Sequence, residues 1–292
     1  MFPWPNGKRA ALAVTFDMDA EAAVLAVDEK YARRPSIMTH QQYGPVTAVP
    51  RLLKLMAALE IRTSFFIPGF SAERHPWTVK AIVAAGHEIC HHGYLHRPPG
   101  LIDAVTERSE LERGLEALER TAGMRPTVFR APWWETSDVT LDLLAEYGFT
   151  CDSSLFDRDE PYRLAVGSTE LIEVPISWAL DDWEKYAFLP DPPTGSGVIE
   201  PPSRVLETWW EEIEAYLEVG GCCVLTMHPF LSGRPARAIA LRRLLERAKA
   251  VPELWIATVG EIAAHTIATD VPARTLSLPT IGEGPAEPVP GS

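Results

Sequence analysis

The chain has 292 residues, 46% of them hydrophobic and 23% charged, the make-up of an ordinary globular protein that forms one large α/β domain or two small ones. Lys and Arg number 27 against 40 Asp and Glu, and the resulting formal charge of −13 argues against a nucleic-acid or anionic-membrane surface. No apolar run is long enough to span a bilayer, no export signal is visible, and the four cysteines (Cys90, Cys151, Cys222, Cys223) form no C-x-x-C pair, so reduced thiols in a cytoplasmic protein are expected.

From the N-terminus, the first predicted strand is ALAVTF from Ala11, ending in the acidic stretch DMD. Residues 21–49 read as an irregular insertion around RRPSIMTHQQYGP. Pro50 to Glu60 predicts a helix with Leu52, Leu53, Met56 and Leu59 on one face, and RTSFFI from Arg62 a strand. Pro76 opens a second helix that stops at Gly86, followed by the strand HEIC from His87. ERSELERGLEALERTAG is a charged surface helix carrying Leu111, Leu115 and Leu118. Then come the strand TVFRA from Thr127, a helix within TSDVTLDLLAEYG, and the strands FTCDSS from Phe149 and LIEVPI from Leu171. Residues 179–202, rich in Trp, Asp and Pro, are a second long loop. A helix capped by Ser203, the strands CCVLTMH from Cys222 and LWIAT from Leu254, and a helix with Thr258 and Glu261 at capping-box spacing complete the pattern. Alternation of this kind predicts a parallel sheet, open or closed into a barrel. The Pro/Gly-rich residues 270–292 read as a tail after a barrel domain spanning 1–269.

The polar residues stand at the predicted strand ends, where a parallel barrel gathers its active site. Asp17 and Asp19 close the first strand, Arg130 the fourth, Asp152 the fifth, and His228 follows CCVLTM. Of eight histidines, three fall in HHGYLH, from His91 to His96. On a helical turn the i, i+4 spacing of His92 and His96 puts both imidazoles on one face, as a divalent metal needs; a His-rich polar loop is the plainer alternative. Two carboxylates as close as Asp17 and Asp19 cannot both stay ionised without a cation, and a metal on one leaves the other free as a base. Arg130 in an apolar strand needs a carboxylate partner, for which Asp17 is the choice. Trp133 and Trp134 fit either a pocket wall or the core. Tyr43, Trp183 and Arg234 lie in segments that can reach the cleft.

These pieces together resemble the polysaccharide deacetylase (NodB-homology) family of carbohydrate esterases. TFDMD resembles the family's T-F-D-D-G, HGYLH its H-S/T-x-x-H, RAPWW its R-x-P motif, CDSS its fourth motif and LTMH its L-x-x-H, in that order, over roughly residues 10–265. The resemblance implies Asp17 as catalytic base, Asp19, His92 and His96 as metal ligands, Arg130 orienting the base, Asp152 on the site wall or behind it, and His228 as general acid. Met18 between the two aspartates and Ala20 in place of the glycine depart from the first motif. That form, together with GHEICHHGYLH, EVPISWALDDW and LTMHPFLSGRPAR, is similar to an intracellular branch with peptidoglycan-deacetylase-like, cyclic imide hydrolase and allantoinase members. What this implies is a distorted TIM-like (β/α) barrel of seven or eight strands, a homotetramer, and a divalent metal, zinc first, with cobalt, nickel, iron or manganese as other choices.

The expected chemistry is metal-assisted hydrolysis of a non-peptide C–N bond, with Asp152, Asp181 or Asp182 supporting His228. The family favours an N-acetyl group on an amino sugar as substrate, and the branch motifs favour a small cyclic imide or ureide. An open cleft with exposed aromatics would mark the former, and a pocket closed by residues 21–49 and 179–202 the latter. A non-catalytic sugar- or metal-binding protein on the same scaffold is the alternative of another class.

Overall fold

A computed structural model describes residues 2–194 and 197–278 of the chain. β1 (Ala10–Asp17) lies at the centre of the sheet, and all eight of its residues are buried. That suits a strand covered on both faces, whose sequence is a continuous apolar run rather than an alternating one. One edge of β1 pairs with β10 (Cys222–Met227); its other neighbours are β2 (Ser64–Ile67) near the C-terminal end and β11 (Leu254–Ala257) near the N-terminal end. From β2 the parallel order continues through β3 (Glu88–His91), β4 (Val128–Phe129), β5 (Cys151–Asp152) and β7 (Thr169–Glu173). β6 (Tyr162–Val166) folds back antiparallel on β7 and carries β12 (Ala273–Arg274) at its outer edge. A separate small hairpin joins β8 (Leu189–Pro190) to β9 (Pro193–Thr194). The sheet curls back on itself: Asp181 forms a single parallel bridge with Thr226 of β10, and the Asp182 N–H donates to the Thr226 carbonyl at 3.0 Å. The α/β fold is thus a distorted barrel with one weakly paired seam, and its helices lie outside.

Helix ends follow from the sequence. The helix Val49–Leu59 buries Leu52, Met56 and Leu59, and Pro76 begins Pro76–Ala84. Asp103 caps Ala104–Ala122 through the Thr106 N–H, and Thr258 and Glu261 form the capping box of Val259–Ile267.

Several expectations are corrected. Residues 21–49 are helical rather than irregular: Pro35 occupies the first turn of Pro35–Tyr43, and Gly44–Ala48 is a wide π turn that carries Pro45 into the next helix without a break. The chain enters the helix Pro202–Val219 from Pro201, so Ser203 sits inside the first turn and is not the cap. The strand β6 and the helix Pro235–Lys249 were not anticipated, although Tyr162, Leu164 and Val166 alternate inward and Ala238, Leu241, Leu245 and Ala248 share one helix face. Of the tail, residues 273–274 pair with β6, and residues 279–292 lie outside the described part of the chain.

Candidate active site

The C-terminal ends of β1, β3 and β10 and the loops after β4 and β7 surround one cavity of about 380 Å³ of empty space. Asp17, Asp19, His92, His96 and His228 all line it, so five of the seven predicted site residues meet there. The sixth, Arg130, lies behind the wall, wholly buried, with Nη1 donating to Asp17 Oδ1 at 2.7 Å. Asp152, the seventh, does not line the cavity and lies deeper, behind Arg130.

Asp17 ends β1, and the Met18 N–H is held by the Phe66 carbonyl at 2.8 Å, which carries the extended register one residue further. Burial pushes the Asp17 carboxyl up to about 6 in spite of the adjacent Arg130 guanidinium. Asp19 is different. Both its oxygens are buried and have no hydrogen-bond partner among the described residues. Burial would raise its pKa too, but the surrounding His96, His228 and His92 outweigh that and hold it below the ordinary carboxylate range.

His92 and His96 come together by a route other than the expected helical turn. His91 ends β3, and the chain then turns through Gly93 at φ +70° and His96 at φ +61°. A Cβ at Gly93 would stand 3.1 Å from Pro132 Cγ, so the left-handed turn and the close packing both require glycine. Glu110, nearly buried, accepts the Tyr94 and Leu95 N–H groups at 3.1 and 2.7 Å and fixes the loop between the two histidines. His91 points away from the cavity, bonded to the Leu111 carbonyl at 3.1 Å. The rings of His92 and His96 lie 4.9 Å apart. The Arg130 carbonyl accepts a hydrogen bond from His92 Nδ1 at 2.7 Å, which fixes the proton there and leaves the Nε2 lone pair free. Burial depresses both imidazole pKa values, which favours the neutral form that a ligand needs.

A divalent cation fits these groups. His92 Nε2 is 3.5 Å from Asp19 Oδ1, and His96 Nε2 is 3.4 Å from Asp19 Oδ2. Ligands about 2.0–2.1 Å from a tetrahedral centre are separated by about 3.3 Å. With two imidazoles and a carboxylate that no donor among the described residues satisfies, the set has the composition of an open catalytic site.

Across the cavity, His228 Nδ1 donates to Asp182 Oδ1 at 2.7 Å, which singles out Asp182 among the three candidate supports. Burial alone would lower the His228 pKa, but Asp182, Asp181 and Asp19 outweigh it and bring it to about 10. Asp181 lines the cavity beside His228 and is pushed up to about 8 by burial, against the favourable charge of His228. Asp181 and Asp182 reach this position through the seam with Thr226.

The remaining wall is aromatic: Trp133, Trp134, Trp178 and Trp183. Trp133 and Trp178 are 40% and 45% exposed, so the wall opens to solvent. No residue of 21–49 lines the cavity, and of 179–202 only Asp181 and Trp183 do, among the described residues. Tyr43 and Arg234 stack on each other, 3.6 Å from guanidinium to ring centroid, and do not line it. Trp178 went unremarked in the sequence because a Trp beside a predicted strand reads equally well as core. Ala20, His96, Trp133 and Trp134 all have positive φ without being glycine, and such strain gathers where surrounding packing over-determines a site.

Comparison with known proteins bears on the family and the fold. The sequence profile of the family described as polysaccharide deacetylase matches residues 29–151. The peptidoglycan deacetylase of Helicobacter pylori is 30% identical, over 88% of this chain and 96% of its own. A solved structure from Mycobacterium smegmatis, described as a candidate polysaccharide deacetylase, is 48% identical and superposes with a TM-score of 0.94 over 96% of this chain and 98% of its own. An allantoinase structure is 27% identical, with a TM-score of 0.80 over 91% of this chain and 93% of its own.

Proposed function

The chain belongs to the polysaccharide deacetylase family, and from that premise we propose that its cavity hydrolyses the acetamide of an N-acetylated amino sugar in a metal-dependent reaction. A base and an acid facing each other, with an unpartnered carboxylate and two imidazoles between them, carry this reading. Asp19, His92 and His96 would hold the metal, zinc in the first instance, which supplies Lewis-acid polarisation of the amide carbonyl. Asp17 removes the proton from the attacking water, and Arg130 aims it through their 2.7 Å bond. His228, protonated and oriented by Asp182, delivers a proton to the departing nitrogen. The tryptophan wall, open to solvent at Trp133 and Trp178, offers flat faces to a sugar ring.

A small cyclic amide is the second reading, supported by the likeness to an allantoinase structure and by the modest cavity. In either case we take residues 1–269 as the catalytic barrel and 270–292 as its arm, and the working unit as a cytoplasmic homotetramer. The test is a side-by-side assay on metal-reconstituted protein: acetate release from N-acetylglucosamine oligomers against ring opening of succinimide-type imides. Chelator-sensitive acetate release is the expected result. Ring opening alone moves the substrate to the cyclic class, and turnover of neither, with metal bound, returns the chain to a binding role.

A further inference from the structure

Behind Arg130 lies a pair of carboxyls that the reaction does not use. Asp152 on β5 and Glu173 on β7 are register partners across a parallel strand pair, and both are fully buried. One oxygen of each is satisfied by its own loop. Asp152 Oδ1 accepts from the Ser153 N–H at 2.8 Å and the Ser154 hydroxyl at 2.6 Å. Glu173 Oε1 accepts from the Ser154 and Leu155 N–H groups at 3.0 and 2.9 Å. The other oxygens, Asp152 Oδ2 and Glu173 Oε2, are buried and meet no donor among the described residues, although the two side chains belong to register partners and each shifts the other's titration. Two carboxylates in that contact would repel without solvent, and two carboxylic acids would set hydroxyl against hydroxyl. One proton between them satisfies both.

The loop they hold is the one that grips Arg130. The guanidinium donates from Nε to the Ser153 carbonyl and from Nη2 to the Ser153 hydroxyl, both at 3.1 Å, while Nη1 holds Asp17. The Ser154 hydroxyl accepts the Ala131 N–H at 2.8 Å. The carboxyls of the Asp152–Glu173 pair thus accept from the Ser153, Ser154 and Leu155 N–H groups and from the Ser154 hydroxyl, in the loop that lies under Arg130. We propose that Asp152 and Glu173 share a single proton, and that Glu173 is a positioning residue that sets Arg130, and through it Asp17, for catalysis. The positioning half rests on the reading of Asp17 as base; the shared proton does not. Burial drives the Glu173 carboxyl well above its ordinary range and raises that of Asp152 less, to about 6, which puts the proton on Glu173.

An amide can replace the acid in such a pair, but only once. Glu173→Gln donates from its NH2 to ionised Asp152, and Asp152→Asn donates to ionised Glu173. The double variant sets two NH2 groups against each other, and flipping either amide points NH2 at backbone N–H donors instead. The experiment compares wild type, Glu173→Gln, Asp152→Asn, the double variant and Glu173→Ala. It reads acetate-release kcat and KM, bound metal, melting temperature, and the infrared band of a protonated carboxyl at neutral pH. Each single amide variant should keep kcat within about threefold, while the double variant and Glu173→Ala lose about 10–100-fold in kcat with KM and metal content unchanged. The infrared band should lose one carboxyl's intensity in both single variants, leaving the contribution of Asp181, and the double variant should melt lower than the two single shifts add up to. Single variants as damaged as the double, or a double variant whose effect is additive, would overturn the shared proton. A folded Glu173→Ala protein with wild-type kcat would overturn the positioning role. If wild type releases no acetate, the proposed function fails, and melting and infrared still decide the proton.

Discussion

Two clusters beside this cavity are built from the same two residue types and have opposite character. Asp19 with His92 and His96, and Asp182 with Asp181 and His228, each bring buried carboxylates and imidazoles within 4.8 Å of one another. Asp19 receives no protein hydrogen bond on either side-chain oxygen among the described residues. Asp182 is saturated: the His228 N–H reaches both its oxygens at 3.0 Å, His228 Nδ1 adds a bond at 2.7 Å, and the Ser232 N–H, at 3.1 Å, and hydroxyl complete the set. A carboxylate already surrounded by donors has little to gain from a cation, whereas one left bare in the interior needs one. The number of donors the fold supplies, more than residue type or spacing, separates a metal ligand from a histidine's anchor.

The sharpest way to break this comparison is to remove each carboxylate in turn and measure bound metal. Asp19→Ala is expected to abolish metal binding and turnover together. Asp182→Ala keeps its metal and loses about 10–100-fold in kcat, because His228 is no longer held. Metal loss in both variants would collapse the distinction. Between the clusters, Asp17→Asn keeps the metal and the volume of the side chain but cannot take a proton, so kcat falls about 10²–10⁴-fold. Survival of activity in that variant moves the base elsewhere. The mildest change is Ser232→Ala, which takes one donor from Asp182. It should cost about 1–3 kcal/mol of stability in a melting or denaturant experiment, with metal content untouched and kcat only slightly reduced.

Much of this was legible from the chain. The strand-end positions of Asp17, Asp19, Arg130 and His228 follow from apolar runs that stop at a polar residue, and a parallel barrel carries them to one face. The meeting of His92 and His96 was foreseen, but not its cause. Spacing suggested a helical turn, while the structure uses two left-handed residues and the Glu110 carboxylate, a side chain that a charged surface helix gives no reason to place inside. Glu173 escaped notice for a related reason. Within LIEVPI it looks like the solvent-facing member of an alternating strand, and only the pairing of β5 with β7 reveals that it faces another acid. The helical character of residues 22–48 was hidden by Pro35, Gly44 and Pro45, which read as breakers until each is seen at a helix start or in a wide turn.

The seam gives the barrel an uneven resistance to breathing. Asp182 stands on one side of it and His228 on the other; their main chains share one bridge and one backbone hydrogen bond, to which the Asp182 carboxylate adds its bonds to His228 and Ser232, while Asp19, His92 and His96 follow strands in the continuous part of the sheet. Sub-global opening begins where backbone pairing is thinnest. The Asp182 amide should therefore exchange its hydrogen for deuterium well before the amides of β1. Each such event parts His228 from its anchor and leaves Asp19, His92 and His96 where they were, so under the proposed function the acid would be lost before the metal.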